Sequence, residues 1–394
     1  MDVYWTAGRH NQFVHQADGT YRSSDLDVYW DVLEREEDGW KLTTREPREI
    51  YRFTEEGQLL SHTQSSGLTL DMSYQAAGRL TTLTDRATQR SLHLDYTSTG
   101  ELKEVKDALR GVTFEYSPKG VLVRVIEPGG VVTDLVSDEH GRLISLTESG
   151  ILQFTNTFDA SYRIVEQTDA SGSKFQFQYD SESHPGQTWT TVTNRLGQAR
   201  ILVHDDALQL LEVHAEDGGI TRYTYTPQGQ MESVTNPLGE TTTYVYDEEG
   251  HLIREIDPLG HETEYHYTAH HQVARETDAE GGVTTYQYDE QQRLTEVTRP
   301  DGSIAKWTYT EMGQTATYQD FTGAIWTYAY SETGELQHTL DPEGRRLQVG
   351  WDKAGRLIEL KDAAGSVSRR SYDGADRLTS ITDPLGLTWQ TVYD

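Results

Sequence analysis

The chain has 394 residues, 64 acidic and 34 basic, for a formal net charge of −30, with no cysteine, 34 glycines and 23 tyrosines. That charge repels phosphates and excludes a nucleic-acid-binding body. The missing cysteine excludes disulfides and thiolate metal sites, and no apolar run approaches the ~18 residues of a membrane span. Leu, Ile, Val and Phe make up only about a fifth of the chain, at the compositional border of disorder. A fold built from this sequence needs something other than an aliphatic core.

In chain order, the opening MDVYWTAGRHNQ lacks a basic n-region and an apolar h-region, so no classical secretory signal is expected. Residues 1–43 read as a lead-in β segment and residues 44–394 as a tandem repeat of about 17 units. The repeat is announced by Phe53, Tyr74, Tyr96, Tyr116, Ser137, Phe158 and Tyr179, slips by four residues, and resumes at His204. From there Tyr225, Tyr246, Tyr267, Tyr288, Tyr309, Tyr330, Trp351, Tyr372 and Tyr393 follow at intervals of 21 residues. A second mark trails the first by 14 residues, at Gly239, Gly260, Gly281, Gly302, Gly323, Gly344, Gly365 and Gly386. Periods of this length mean a repeat architecture, so counting domains from chain length does not apply.

Each unit reads as a β-hairpin. Asp247-Glu248-Glu249-Gly250 is a turn led by acidic residues, with glycine supplying a positive φ. His251 to Ile256 is a short strand, and Asp257-Pro258-Leu259-Gly260 is a second turn with φ pre-set by proline. In the strand that follows, Thr263, Tyr265 and Tyr267 point one way and Glu262, Glu264 and His266 the other. β-branched and aromatic residues suit such a half-buried pleated surface. Leu252, Val273 and Leu294, six residues after their marks, fall on the intervening strands, giving aromatic and aliphatic rows in alternation. One hairpin cannot bury enough surface alone and relies on its neighbours. The expectation is all-β: a coiled antiparallel sheet of about 34 strands, because long twisted sheets curl. A β-propeller is the rival, since two units equal one four-stranded blade of about 42 residues. The absence of a doubled period ranks it second.

The serial motif YDEEGHLIREIDPLGHETEYHY, YDEQQRLTEVTRPDGSIAKWTY, WDKAGRLIELKDAAGSVSRRSY resembles the rearrangement-hotspot (Rhs) or YD-repeat family. The resemblance runs from about Thr44 to Asp394, and the lead-in stretch is similar to the strands that precede such repeats. It implies a spiral β-shell that encapsulates a C-terminal toxin domain in bacterial polymorphic toxins, with delivery by type VI secretion or related routes. Related repeats stand in teneurin adhesion ectodomains. It also implies cytoplasmic residence before export, then secretion or delivery to a target cell. Asp383-Pro384-Leu385-Gly386-Leu387 reads as an ordinary turn rather than an autocleavage motif, and Tyr393-Asp394 opens a further unit. The expectation is therefore a shell segment, or a partner completing a shell with another polypeptide, whose bare edge strand favours edge-to-edge self-association.

No motif carries catalysis: there is no G-x-S-x-G, P-loop or H-E-x-x-H. His261, His266, His270 and His271 read as solvated positions rather than metal ligands, because His266 faces away from its neighbours' side and His270-His271 fills a turn. The DEEG and DPLG turns lack the spacing of a calcium loop. No catalytic residue, cofactor or metal is expected. Tyr244, Tyr265, Tyr286, Trp307 and Tyr328 form a ladder read first as the packed face of the sheet. A carbohydrate-binding or adhesion surface is the alternative. The acidic residues fall on turns and on the opposite strand face, where they would either keep the outside solvated or attract a cationic cargo.

Overall fold

A computed structural model describes residues 2–4, 10–25, 28–44, 49–64, 67–76 and 78–393. Asp394 and parts of the lead-in, including Gly8 and Arg9, lie outside the described residues. Among those described there are 39 strands and no α-helix. Thirty-seven of the strands, from Val14–His15 to Thr388–Gln390, belong to one antiparallel sheet in which strands pair with their sequence neighbours. The sheet is open: among the described residues no register joins its first strand to its last. A propeller would divide into four-stranded sheets, so the rival architecture is excluded.

The 21-residue period is two strands and two turns. Val273–Thr277 contributes five residues and Val283–Tyr288 six, and the two five-residue connections 278–282 and 289–293 complete the unit. Most of the turns close in the same way. In the turn at 257–260 the Gly260 N–H donates to Asp257 O at 3.0 Å and the Asp257 N–H to His261 O at 2.9 Å. This is a type I turn followed by a residue in the left-handed region, a common short hairpin connection. The eight glycine marks occupy that position, with φ between 76° and 89°. A register shift just before the mark, as between Gln287 and Tyr288 and likewise at Tyr225, Tyr246, Tyr309, Tyr330 and Tyr372, ends the pairing with a bulge. Strand His251 to Ile256 starts one residue later than the alternation suggests, at Leu252, because the His251 carbonyl and N–H are used by the turn. The four-residue slip is absorbed by the longer connection between Lys174–Asp180 and Gln187–Thr193, both extended to seven residues.

The chain divides into two compact units. One comprises residues 1–113, 127–130 and 266–394. It holds the molecule's conventional core: Phe13, Val28, Leu33, Trp40 and Leu42 are buried together, with Leu33 and Leu42 at 1% and 0% exposure, and Tyr21, Tyr51 and Phe53 pack against them. Within this unit early turns meet late ones. Arg90 pairs with Glu335 and Arg110 with Asp376. Arg356 also reaches Asp376 at 2.8 Å. A Cβ placed on Gly374 would stand only 3.3 Å from the Gly129 Cα, so the backbones touch there. The ribbon therefore seats on itself across 245 residues at Arg90–Glu335 and 266 at Arg110–Asp376 (335 − 90 and 376 − 110). The other unit comprises residues 114–126 and 131–265, a run of hairpins whose fully buried apolar side chain is Val203.

Candidate functional site

With so few buried aliphatics, cohesion between repeats comes from the marks themselves. The Tyr309 hydroxyl donates to Leu294 O at 2.6 Å, fifteen residues back at the start of the preceding strand. The same bond recurs from Tyr225 to Leu210 O at 2.8 Å, Tyr246 to Met231 O at 2.7 Å and Tyr288 to Val273 O at 2.8 Å. Tyr330, Tyr372 and Tyr393 repeat it to Thr315, Leu357 and Leu378. Tyr267 likewise is the last residue of its strand. Trp351 substitutes its indole N–H, which reaches Leu336 O at 2.7 Å. Burial pushes the Tyr225, Tyr288, Tyr309 and Tyr330 hydroxyls above the usual phenol range, so they stay protonated donors.

The residue after a mark commonly caps its own turn, as aspartate at Asp247 and Asp289 and as threonine or serine at Thr226, Thr310 and Ser331. Asp247 Oδ1 accepts the N–H groups of Glu249 and His251 at 2.9 and 2.8 Å, an arrangement short acidic side chains favour. The residue four positions on then bridges to the next unit. Arg293 binds Asp289 Oδ2 through Nε at 2.7 Å, and its guanidinium lies 4.6 Å over the Tyr309 ring. Arg163 over Tyr179, Arg356 over Tyr372 and Arg377 over Tyr393 repeat this cation–π contact. Where glutamine takes the place, as at Gln230 and Gln314, its amide donates to the next turn's carbonyl, Gly250 O or Gly334 O, at 2.7 and 2.6 Å. At Asp159 the Arg163 N–H holds the carboxyl below the usual range despite some burial. At Asp289 burial acts upward but is outweighed by the hydrogen bonds and charge of Arg293.

The aromatic ladder lies on the half-buried face. Strand Glu262–Tyr267 alternates exposed and half-buried residues, with Tyr265 and Tyr267 on the sheltered side. Tyr244, Tyr286, Trp307 and Tyr328 are half-buried likewise. Leu252 and Leu294 sit opposite Tyr246 and Tyr288, as the alternation of rows predicts. The residues opposite the ladder are mixed: Glu255 faces Tyr244, Val297 faces Tyr286 and Thr339 faces Tyr328. At Trp307 the opposite residue is Tyr318, 5.2 Å away, which in turn stacks on Trp326 at 5.7 Å. On the exposed face cross-strand ion pairs such as Lys306–Glu296 and Arg254–Glu262, at 2.9 and 3.1 Å, offset part of the acidic charge.

The histidines of the sequence cluster take separate places. His261 Nδ1 lies 2.8 Å from Asp257 Oδ2 in an exposed turn. His266 is exposed on its strand, and His270 and His271 occupy a turn in which His271 is left-handed. His251, outside that cluster, is the buried one: it stands where other repeats carry Arg or Gln and reaches Asp247 Oδ2 at 2.7 Å. Sequence reading also missed a group at the start of the repeats, because its members meet only through the pairing of adjacent strands, in which Tyr51 stands opposite His62. Tyr51 donates to Glu49 Oε2 at 2.6 Å, His62 Nε2 lies 2.9 Å from the same oxygen, and the two rings stack at 4.3 Å. Burial and the Glu49 bond push the Tyr51 hydroxyl up, while the bond from Tyr51 holds Glu49 low.

Hairpins of two strands and two Asp-capped turns, stapled by Tyr, Asp and Arg, define a tandem β-repeat protein. The RHS repeat family matches residues 204–242, 233–263, 246–283, 267–304 and 351–388, and the Teneurin YD-shell family matches 23–211. The chain belongs to the RHS/YD-repeat family. Among solved structures it is similar to the TcdB2-TccC3-Cdc42 crystal structure, with a TM-score of 0.56 and 12% identity over 97% of this chain and 26% of that one. The Photorhabdus luminescens Tc holotoxin pore gives a TM-score of 0.51 at 15% identity, over 98% and 24%. At such identities the likeness is one of fold. A curated relative, the double-stranded DNA deaminase toxin A of Burkholderia cenocepacia, is 28% identical over 195 residues, which is 47% of this chain and 11% of the relative. The chain thus spans about a tenth of that relative and about a quarter of the solved chains. No helix among the described residues is long and apolar enough to cross a membrane.

Proposed function

We propose that this chain is a wall segment of a YD-repeat shell that encapsulates or scaffolds a toxin domain carried outside these residues, and that it acts without catalysis of its own. Residues 44–394 serve as wall repeats and residues 1–43 as the lead-in that starts them. The tyrosine and glycine marks, Tyr225 to Tyr393 and Gly239 to Gly386, serve as structural positions. The observation that carries the reading is the one open 37-strand sheet whose hydrogen-bonding groups are spent on holding repeat to repeat. The deaminase in the relative's name belongs to a class that holds zinc with cysteine. This chain has no cysteine, so the stretch of 195 shared residues is assigned to the repeats. The partners are the toxin domain and the remainder of the shell, and delivery to a target cell follows from that cargo.

The test is the coding neighbourhood followed by shielding. A toxin region with an immunity gene beside the coding sequence, and a toxin domain that resists added protease only when assembled with these repeats, is the expected result. A membrane-anchored adhesion ectodomain in the same place overturns it. The second reading, a carbohydrate-binding or adhesion surface, is favoured by the Trp307–Tyr318–Trp326 stack. Glycan binding abolished by Trp307→Ala at unchanged stability would establish that reading instead.

A further inference from the structure

The ladder residues stand two places before their marks, on the half-buried face. In strand Val367–Tyr372 that place belongs to Arg370. The strand alternates: Arg369 and Ser371 are exposed, while Ser368, Arg370 and Tyr372 are half-buried. An arginine thus takes the position that Tyr244, Tyr265, Tyr286, Trp307 and Tyr328 hold in other repeats.

A guanidinium on a sheltered face needs acceptors, because taking an ion out of water without a partner is costly. Arg142, Arg293 and Arg356, also half-buried, each bind an aspartate four residues back. Arg369, on the exposed face, pairs with Glu359 at 3.0 Å. Arg370 differs: its Nη1 is buried and meets no hydrogen-bond partner among the described residues. The two places from which a carboxylate could reach it are apolar. Glu255, directly opposite Tyr244, and Glu276, whose Oε2 accepts the Tyr286 hydroxyl at 2.9 Å, show where other repeats set a carboxylate beside the ladder residue. Six repeats after Glu255 stands Ile381, directly opposite Arg370, and four repeats after Glu276 stands Leu360. Leu360 lies opposite Ser368, on the same face as Arg370. The result is a cation set between two aliphatic side chains, in a chain whose 64 acidic residues outnumber its 34 basic ones.

We propose that Arg370, Leu360 and Ile381 form a docking point for an acidic peptide segment of a partner polypeptide, one that presents Asp or Glu next to an aliphatic side chain. The planar fork of the guanidinium receives the carboxylate through two parallel N–H bonds, and the aliphatic neighbours shelter the flanking side chain. Charge complementarity selects this occupant. A basic segment is repelled by Arg370, and an uncharged one leaves the guanidinium without a counter-charge. The unpartnered arginine destabilises the free chain, and binding of the segment relieves that strain.

Two measurements test this. In urea unfolding, Arg370→Tyr restores the ladder residue, and Ile381→Glu puts a carboxylate at the place Glu255 holds in its own repeat. Both should raise the midpoint of the full chain. A midpoint lowered by both means that Arg370 is already satisfied within the chain or by water, and the proposal fails. For binding, the full chain is isotope-labelled at arginine and titrated with the blocked tripeptide leucyl-glutamyl-leucine, the Arg370 resonances being assigned by their loss in Arg370→Gln. Saturable shifts of the Arg370 guanidinium are expected, with affinity at least tenfold weaker in Ile381→Glu and for leucyl-glutaminyl-leucine. Acetate that shifts Arg370 as strongly at equal concentration makes this a simple anion site, and an unmoved Arg370 at millimolar tripeptide denies it an acidic peptide partner; either result overturns the proposal. None of these outcomes bears on toxin shielding, which tests the shell reading separately.

Discussion

Tyr309 offers the sharpest test of how the repeats cohere. Its hydroxyl makes a 2.6 Å bond to Leu294 O and its ring carries the Arg293 guanidinium at 4.6 Å. Tyr309→Phe deletes the bond alone, for a loss of about 1 kcal/mol, rising toward ~2 where the carbonyl is left without a partner. Tyr309→Ala also deletes the cation–π contact, worth about 0.5–1 kcal/mol, and the burial of a half-sheltered ring, worth about 1 kcal/mol more. The totals are about 1 kcal/mol for Phe and about 3 for Ala. Because a repeat array distributes stability between neighbours, the loss should be local. Hydrogen exchange read by mass spectrometry should quicken in strands Leu294–Thr298 and Ile304–Tyr309 and leave Leu33 and its surroundings unchanged, and urea unfolding should give the magnitudes. A Phe variant as damaged as the Ala variant would refute the division between bond and ring. Uniform loosening of the whole chain would refute the repeat-to-repeat account.

Turn aspartates such as Asp257, held low chiefly by the His261 side-chain bond, and Asp159, held low by the Arg163 N–H, bind protons less readily folded than unfolded. Their stabilisation is complete above the unfolded value near 3.8 and is lost as pH falls through the lower folded value, so the urea midpoint should hold steady down to about pH 4 and then drop. Gln292 sits at φ 65° in a position that suits glycine, and Gln292→Gly should raise stability by up to about 1 kcal/mol, as measured by urea unfolding. The core of the lead-in region should be the least tolerant: Leu42→Ala, at a fully buried site, should cost about 2–5 kcal/mol and should lower the midpoint reported by Trp40 fluorescence. The Arg110–Asp376 pair, partly exposed on both sides, should show a coupling of no more than about 1 kcal/mol in a double-mutant cycle, diminishing with added salt.

The positions of strands and turns were legible because they depend on local chemistry repeated many times. Alternation of Thr263, Tyr265 and Tyr267 against Glu262, Glu264 and His266 placed one face, and the left-handed requirement at Gly260 placed the turn. The presence of a tyrosine every 21 residues was visible too, but not its purpose. That Tyr309 serves as a hydrogen-bond donor to Leu294, and that Arg293 bridges Asp289 to Tyr309, depends on the lateral offset between paired strands, which no single strand encodes. The burial of His251, outside the cluster of His261, His266, His270 and His271, was equally invisible, because it depends on packing between paired strands.

By itself, the sequence determined an all-β chain of hairpin repeats, its register, and its reliance on aromatic rather than aliphatic packing, because period-two alternation and turn stereochemistry act within a few residues. Tertiary structure decided that the sheet runs on as one open ribbon rather than dividing into blades, and that Arg110 meets Asp376 across 266 residues. It also decided which turns are covered and which stand open. Those outcomes depend on small twists summed over many strands, a quantity that a repeat written in identical local terms does not specify.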